Sequence, residues 1–72
     1  MENSYLLVMF YTNGKMKEYK TDEVLLIGND DNIEEIAKKQ IKSFNEYNEK
    51  WGYKVEQYNL FKHIKSESLK EV

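Results

Sequence analysis

The chain has 72 residues, a formal net charge of −2, no cysteine and no proline, and its eleven cations are all lysine. That length allows one domain burying only about 60% of its extended surface, and the missing cysteines exclude disulfides and thiolate metal sites, which fits a reducing, cytoplasmic setting. Without arginine the chain lacks the side chain best suited to reading guanine edges, and no apolar run approaches a membrane span of roughly eighteen residues, so sequence-specific duplex recognition and a membrane role both drop out.

Residues 5–12 are rich in strand formers and end at Asn13-Gly14, a strong hairpin signal. A type I′ turn is expected, with residues 15–21 returning as a polar edge strand that pairs Thr12 with Lys15, Phe10 with Lys17 and Val8 with Tyr19. The first strand is apolar on both faces, Leu6, Val8 and Phe10 on one and Tyr5, Leu7, Met9 and Tyr11 on the other, which suits a central strand. Residues 24–27 form a short apolar run that reads as a brief third strand or a buried connection.

The stretch 29–52 carries the clearest pattern, because Ile33, Ile36, Ala37, Ile41, Phe44, Tyr47 and Trp51 recur at helical spacing. A cap is expected at Asp31 or Asn32, each with a glutamate at capping-box distance, and Gly52 supplies a left-handed stop. Glu34/Lys38, Glu35/Lys39 and Glu46/Lys50 stand at i,i+4. The helix would run roughly 30 Å across a sheet, with Trp51 plugging the core at its end.

Residues 53–64 alternate without a clean apolar set, so a bulge or bend near 57–59 is expected, with Val55 facing the helix first and Leu60 or Phe61 with Ile64 afterwards. The sum is an α+β domain over 1–64, ββ(β)αβ in order, with an antiparallel sheet of three or four strands and one long helix on one face. Residues 65–72 read as a charged, frayed tail. The second sheet face is left open, displaying Tyr5, Leu7, Met9 and Tyr11 or the opposite set.

Chemistry-bearing patterns are sparse. Asn29 to Glu35 are hard-ligand types, but the spacing lacks the glycine and the closing glutamate of a calcium loop, and capping accounts for the same residues. No nucleophile elbow surrounds any serine, His63 is the single histidine, and the three glycines stand far apart. The expectation is a non-enzymatic protein with no cofactor and no bound metal.

Two features point to binding. Between residues 21 and 37 there are six acids, Asp22, Glu23, Asp30, Asp31, Glu34 and Glu35, and no lysine. Such an anionic patch suits docking into a basic groove on a larger host protein, of the kind that binds nucleic acid. Six tyrosines bring contact area at low entropic cost, and Tyr5, Met9 and Tyr11 are the candidate apolar contacts or a homodimer seam. A second reading has Tyr5, Tyr11, Tyr19, Tyr53 and Tyr58 stacking single-stranded nucleic acid beside Lys54, Lys62 and Lys65. A third is a homo-oligomeric assembly subunit.

In size and composition, short, cysteine-free, lysine-only and rich in Asn, Tyr and Ile, the chain resembles small orphan proteins of phages and mobile elements of AT-rich bacteria, anti-CRISPR and other anti-defence inhibitors among them. The resemblance rests on no motif. It implies stoichiometric inhibition of a host factor and assigns no residue.

Overall fold

A computed structural model describes residues 2–15 and 19–64. Strand β1 (Asn3–Thr12) is followed by β2 (Lys20–Gly28), helix α1 (Ile33–Asn48), a 3₁₀ turn (Glu49–Trp51) and β3 (Lys54–Lys62). The sheet is antiparallel throughout, in the order β2-β1-β3. The α+β class and the helix across one face are as expected, with three strands. The expected tail at 65–72 lies outside the described residues.

The apolar first strand takes the centre because only there are both of its faces useful. Tyr5, Leu7 and Met9 are buried beneath the helix, while Leu6, Val8 and Phe10 face the other way and are half-buried. Leu7 and Met9 are fully buried, each removal from water stabilising by about 1.5–3 kcal/mol. Val24 and Leu26 of β2 and Val55, Tyr58 and Leu60 of β3 extend this core sideways, and Ile33, Ile36, Ala37, Ile41 and Phe44 close it from above. Ala37 is fully buried; its small side chain lets the helix sit close to the sheet.

The hairpin differs from expectation. Val8 stands opposite Glu23, not Tyr19, and Phe10 opposite Thr21, not Lys17. Asn13-Gly14 does form a turn, with Gly14 at φ 77° and the Lys15 amide donating to Asn13 Oδ1 at 3.1 Å. It is not type I′, which needs a positive φ at both central residues, and Asn13 has none. Residues 24–27, expected as a separate third strand, are the second half of β2. Sliding β2 along β1 sets Leu26 beside Tyr5 and Val24 beside Leu7, an apolar cover for the core that the lysines and glutamate at Lys15, Lys17 and Glu18 would not supply.

The chain then crosses above β1 from one sheet edge to the other. Asn29 organises the turn: its Oδ1 accepts the amides of Asp31 and Asn32 at 2.9 and 3.0 Å, and its carbonyl accepts that of Ile33 at 2.9 Å. Asn32 is the N-cap residue, but its side chain bonds back to the Asn29 amide at 2.9 Å and no side-chain cap bond forms, so the capping boxes are not used. At the other end the helix tightens into the 3₁₀ turn, and Gly52 at φ 77° returns its amide to Glu49 at 2.9 Å. Gly52 is therefore the stop. The tighter winding takes Trp51 off the apolar stripe: it is 61% exposed with Lys50 Nζ 5.1 Å from its ring, not a core plug, and Tyr47 is exposed as well.

In β3 the expected irregularity falls one step early. Phe10 pairs with Gln57 and Tyr11 with Val55, leaving Glu56 as the extra residue. The bulge brings odd-numbered Val55 and even-numbered Tyr58 and Leu60 to the same face. Phe61 goes to the open face, and Ile64 is exposed.

Candidate functional site

The register sorts the open face into rows. Leu25, Leu6 and Phe61 form the first, Glu23, Val8 and Asn59 the second, Thr21, Phe10 and Gln57 the third. Apolar character is concentrated in the first row and in Ile27 beside it: Leu25 is 70% exposed, Ile27 57% and Phe61 53%. A hollow of about 430 Å³ opens there, lined by Ser4, Tyr5, Leu6, Leu25, Phe61, Lys62 and His63. The His63 amide donates to the Ser4 carbonyl at 2.8 Å, carrying the edge past the end of β3.

The same end of the sheet receives the turn into α1 and its acids. Asp30 accepts the Tyr5 hydroxyl on Oδ1 and pairs through Oδ2 with Lys62 Nζ at 3.0 Å. The Tyr5 hydrogen bond, then Lys62, hold the Asp30 carboxyl below the usual carboxylate range. Conversely, Asp30 raises the Tyr5 phenol and the Lys62 ammonium. Glu34 accepts the Tyr58 hydroxyl at 2.9 Å, which raises that phenol, and Glu35 pairs with Lys39 at 3.6 Å. Asp31 is exposed beside them.

The six acids do not form one patch. Asp22 and Glu23 stand opposite Met9 and Val8, and Gly28 opposite Asn3, so roughly 20 Å of strand separates them from the turn that carries the other acids. Asp30, Asp31, Glu34 and Glu35 are the group the fold brings together. Tyr5 and Met9 are corrected outright as contact residues: both are buried under the helix, so the opposite set, with Leu6, is what the open face shows. Tyr11 is half-buried, its ring 4.9 Å from that of Phe44 and 5.4 Å from that of Tyr53.

The tyrosines do not line a stacking platform. Tyr5 is buried, Tyr11 packs on Phe44, Tyr58 is tied to Glu34 and Tyr53 accepts from Lys20 Nζ at 3.1 Å, all on the helix side. Tyr19 is exposed and donates to Glu56 at 3.0 Å, which raises its phenol. Lys65 lies outside the described residues. Among the described residues no group of three or more His, Asp or Glu could hold a metal ion, none of those residues is buried, and no helix is long and apolar enough to cross a membrane.

Leu25, Ile27 and Phe61 were missed by sequence reasoning because both faces of β1 are apolar; the parity of Val55, Tyr58 and Leu60 around the bulge is the signal that picks the covered side. Fold and surface together define a two-layer α+β domain with one sheet face bare. Compared with protein-family models, curated proteins and solved structures, the chain matches none.

Proposed function

We propose that the chain is a small non-enzymatic binding protein that acts by stoichiometric association with a larger protein, in the manner of a phage-encoded inhibitor. The observation that carries this reading is the bare apolar row Leu25, Leu6 and Phe61 with Ile27 beside it, since small folded domains rarely leave such residues contiguous and exposed without a partner for them. The acids at the start of α1 lie at the same end of the sheet, on its helix side, and supply direction: opposite charge steers encounter and rejects wrong partners, while apolar contact supplies the hold. A basic groove on the partner beside an apolar ridge is the complement.

The test is capture from host-type lysate by tagged protein, after nuclease treatment, with the wild type and with Phe61→Lys. Phe61 is exposed, so the substituted protein keeps its circular dichroism. The expected result is one protein partner, retained through nuclease and lost with Phe61→Lys. Capture of nucleic acid alone, or a partner that folded Phe61→Lys retains in full, refutes the reading.

A further inference from the structure

The two edges of the sheet are built differently. The β3 edge carries Lys54, Glu56 and Lys62 and is broken by the bulge at Glu56, and charge and bulging are the devices that keep an edge from pairing with another strand. On β2, Val24 to Gly28 carry no charge, no proline and no bulge. One backbone bond fixes what that edge presents. The His63 amide donates to the Ser4 carbonyl, so even-numbered residues of β1 turn their backbone groups toward β3 and odd-numbered ones toward β2, because these groups alternate along a strand. Val24 and Leu26, opposite Leu7 and Tyr5, are therefore bonded to β1, while Glu23, Leu25 and Ile27 aim amide and carbonyl outward. The Glu23 amide agrees: it meets the Asp22 carboxylate at 3.1 Å. The residues with outward backbone are also those whose side chains lie on the open face, where Leu25 and Ile27 are exposed.

We infer, resting on the partner reading above, that the partner docks by adding a strand to this edge: an extended segment antiparallel to β2, with apolar residues facing Ile27 and Leu25 and lysine or arginine facing Glu23 and Asp22. Backbone pairing with Leu25 and Ile27 gives such a segment its hold, and side chains at alternate positions give it its identity. Charge sets the register. Asp22 and Glu23 are both exposed and enter no ion pair among the described residues. Lys20, the one cation of β2, is turned onto Tyr53. Asp22 stands on the helix side of the strand and Glu23 on the open side, so two consecutive basic residues, one on each face of the incoming strand, meet both. The antiparallel ladder is the stronger of the two kinds, and it orders the segment as apolar, any, apolar, any, basic, basic. The two acids that the fold separates from the start of α1 thereby have a place in recognition.

The probe is a synthetic peptide with blocked ends, Thr-Thr-Val-Thr-Val-Thr-Lys-Lys-Thr, titrated into the isotope-labelled chain and followed by amide resonances. Shifts are expected along β2 from Glu23 to Gly28 and not along β3. Methylating the peptide nitrogen of the second valine, which faces Leu25, removes a ladder bond and should weaken binding about tenfold. Methylating the threonine between the valines, whose amide points away from the sheet, should leave binding unchanged. Asp22→Lys with Glu23→Lys, both at exposed positions, should weaken binding about tenfold and let a peptide with glutamate in place of its two lysines bind instead. Phe61 lies on the far strand of the sheet, so Phe61→Lys should bind the peptide as the wild type does. A partner captured from lysate and lost with Phe61→Lys, alongside a peptide that fails to bind at millimolar concentration, refutes strand addition and leaves the partner reading standing. Shifts centred outside β2, equal loss from the two methylations, charge reversal without effect, or a wild-type chain that dimerises through this edge and excludes the peptide overturns the inference.

Discussion

Gly28 closes β2 immediately before the turn, and its missing side chain is what lets α1 start so close to the sheet. A Cβ built there lies 2.7 Å from Asn32 Oδ1, 3.0 Å from Ile36 Cδ1 and 3.3 Å from Ile33 Cδ1. Asn32 Oδ1 cannot yield freely, because it accepts the Asn29 amide at 2.9 Å. Breaking that bond costs about 1 kcal/mol, and pressing on two packed isoleucine tips adds about 1–3 kcal/mol. The backbone entropy that alanine removes from the unfolded chain returns only about 0.4–1 kcal/mol. Gly28→Ala should therefore destabilise by about 2 kcal/mol, out of roughly 4–11 kcal/mol expected for a domain of this length, and lower Tm by roughly 10 °C. Urea unfolding followed by far-ultraviolet circular dichroism measures it; Trp51 is too exposed to report on the core. In an Asn32→Ala background the closest obstacle is gone, and the Gly28→Ala penalty should shrink by about 1 kcal/mol. Unchanged or raised stability in Gly28→Ala, or an equal penalty in both backgrounds, refutes the reasoning.

Leu7→Ala empties a fully buried site at the centre of the middle strand and should cost about 3 kcal/mol in the same urea assay. Trp51→Ala should change stability by less than about 0.5 kcal/mol, and native Trp emission should already lie near its unfolded position. The Asp30 carboxyl is held low and the Tyr5 phenol high by the bond between them, so their linkage acts at the two ends of the pH scale. Stability owed to Asp30 is present above its unfolded pKa and lost as pH falls through the lowered folded value; that owed to Tyr5 is present below its unfolded pKa and lost as pH rises through the raised one. Tyr5→Phe should therefore lower stability at neutral pH and flatten both flanks of a Tm-versus-pH curve.

The helix was legible because its signals are local and agree. The stripe from Ile33 to Phe44, the turn residues at Asn29 and Asn32 and the stop at Gly52 each locate it within a turn. The hairpin was misread because a local signal, Asn13-Gly14, competed with a non-local one, the fit of Val24 to Ile27 against β1 and the helix. The observed register lies four residues beyond the expected one, and an even shift keeps every side chain on its face, so alternation could not expose the error. Trp51 follows the stripe only while the winding stays α, and the 3₁₀ turn after Asn48 ends that. The acids looked like one patch because they are near in sequence, but a strand separates Asp22 from Asp30 while a turn gathers Asp30 to Glu35.

A three-stranded sheet with one helix can cover only one face, so some exposure of β1's second side is unavoidable. Its distribution is not. Thr21 and Gln57 show that the positions flanking β1 accept polar residues at one end, whereas at the other Leu25 and Phe61 flank Leu6 with Ile27 alongside. Fully covering Leu25, Ile27 and Phe61 would yield about 1.5–3 kcal/mol each, less in proportion to the area they already bury, or roughly 4 kcal/mol together. That only matches the low end of the 4–15 kcal/mol lost in translational and rotational freedom on association. An occupant touching these three side chains alone would bind weakly. Lasting association therefore needs a second source of energy at the same place. The structure offers two at that end of the sheet: the outer edge of β2 from Val24 to Gly28, which no strand of this sheet pairs, and, on the helix side, the acids gathered at the start of α1.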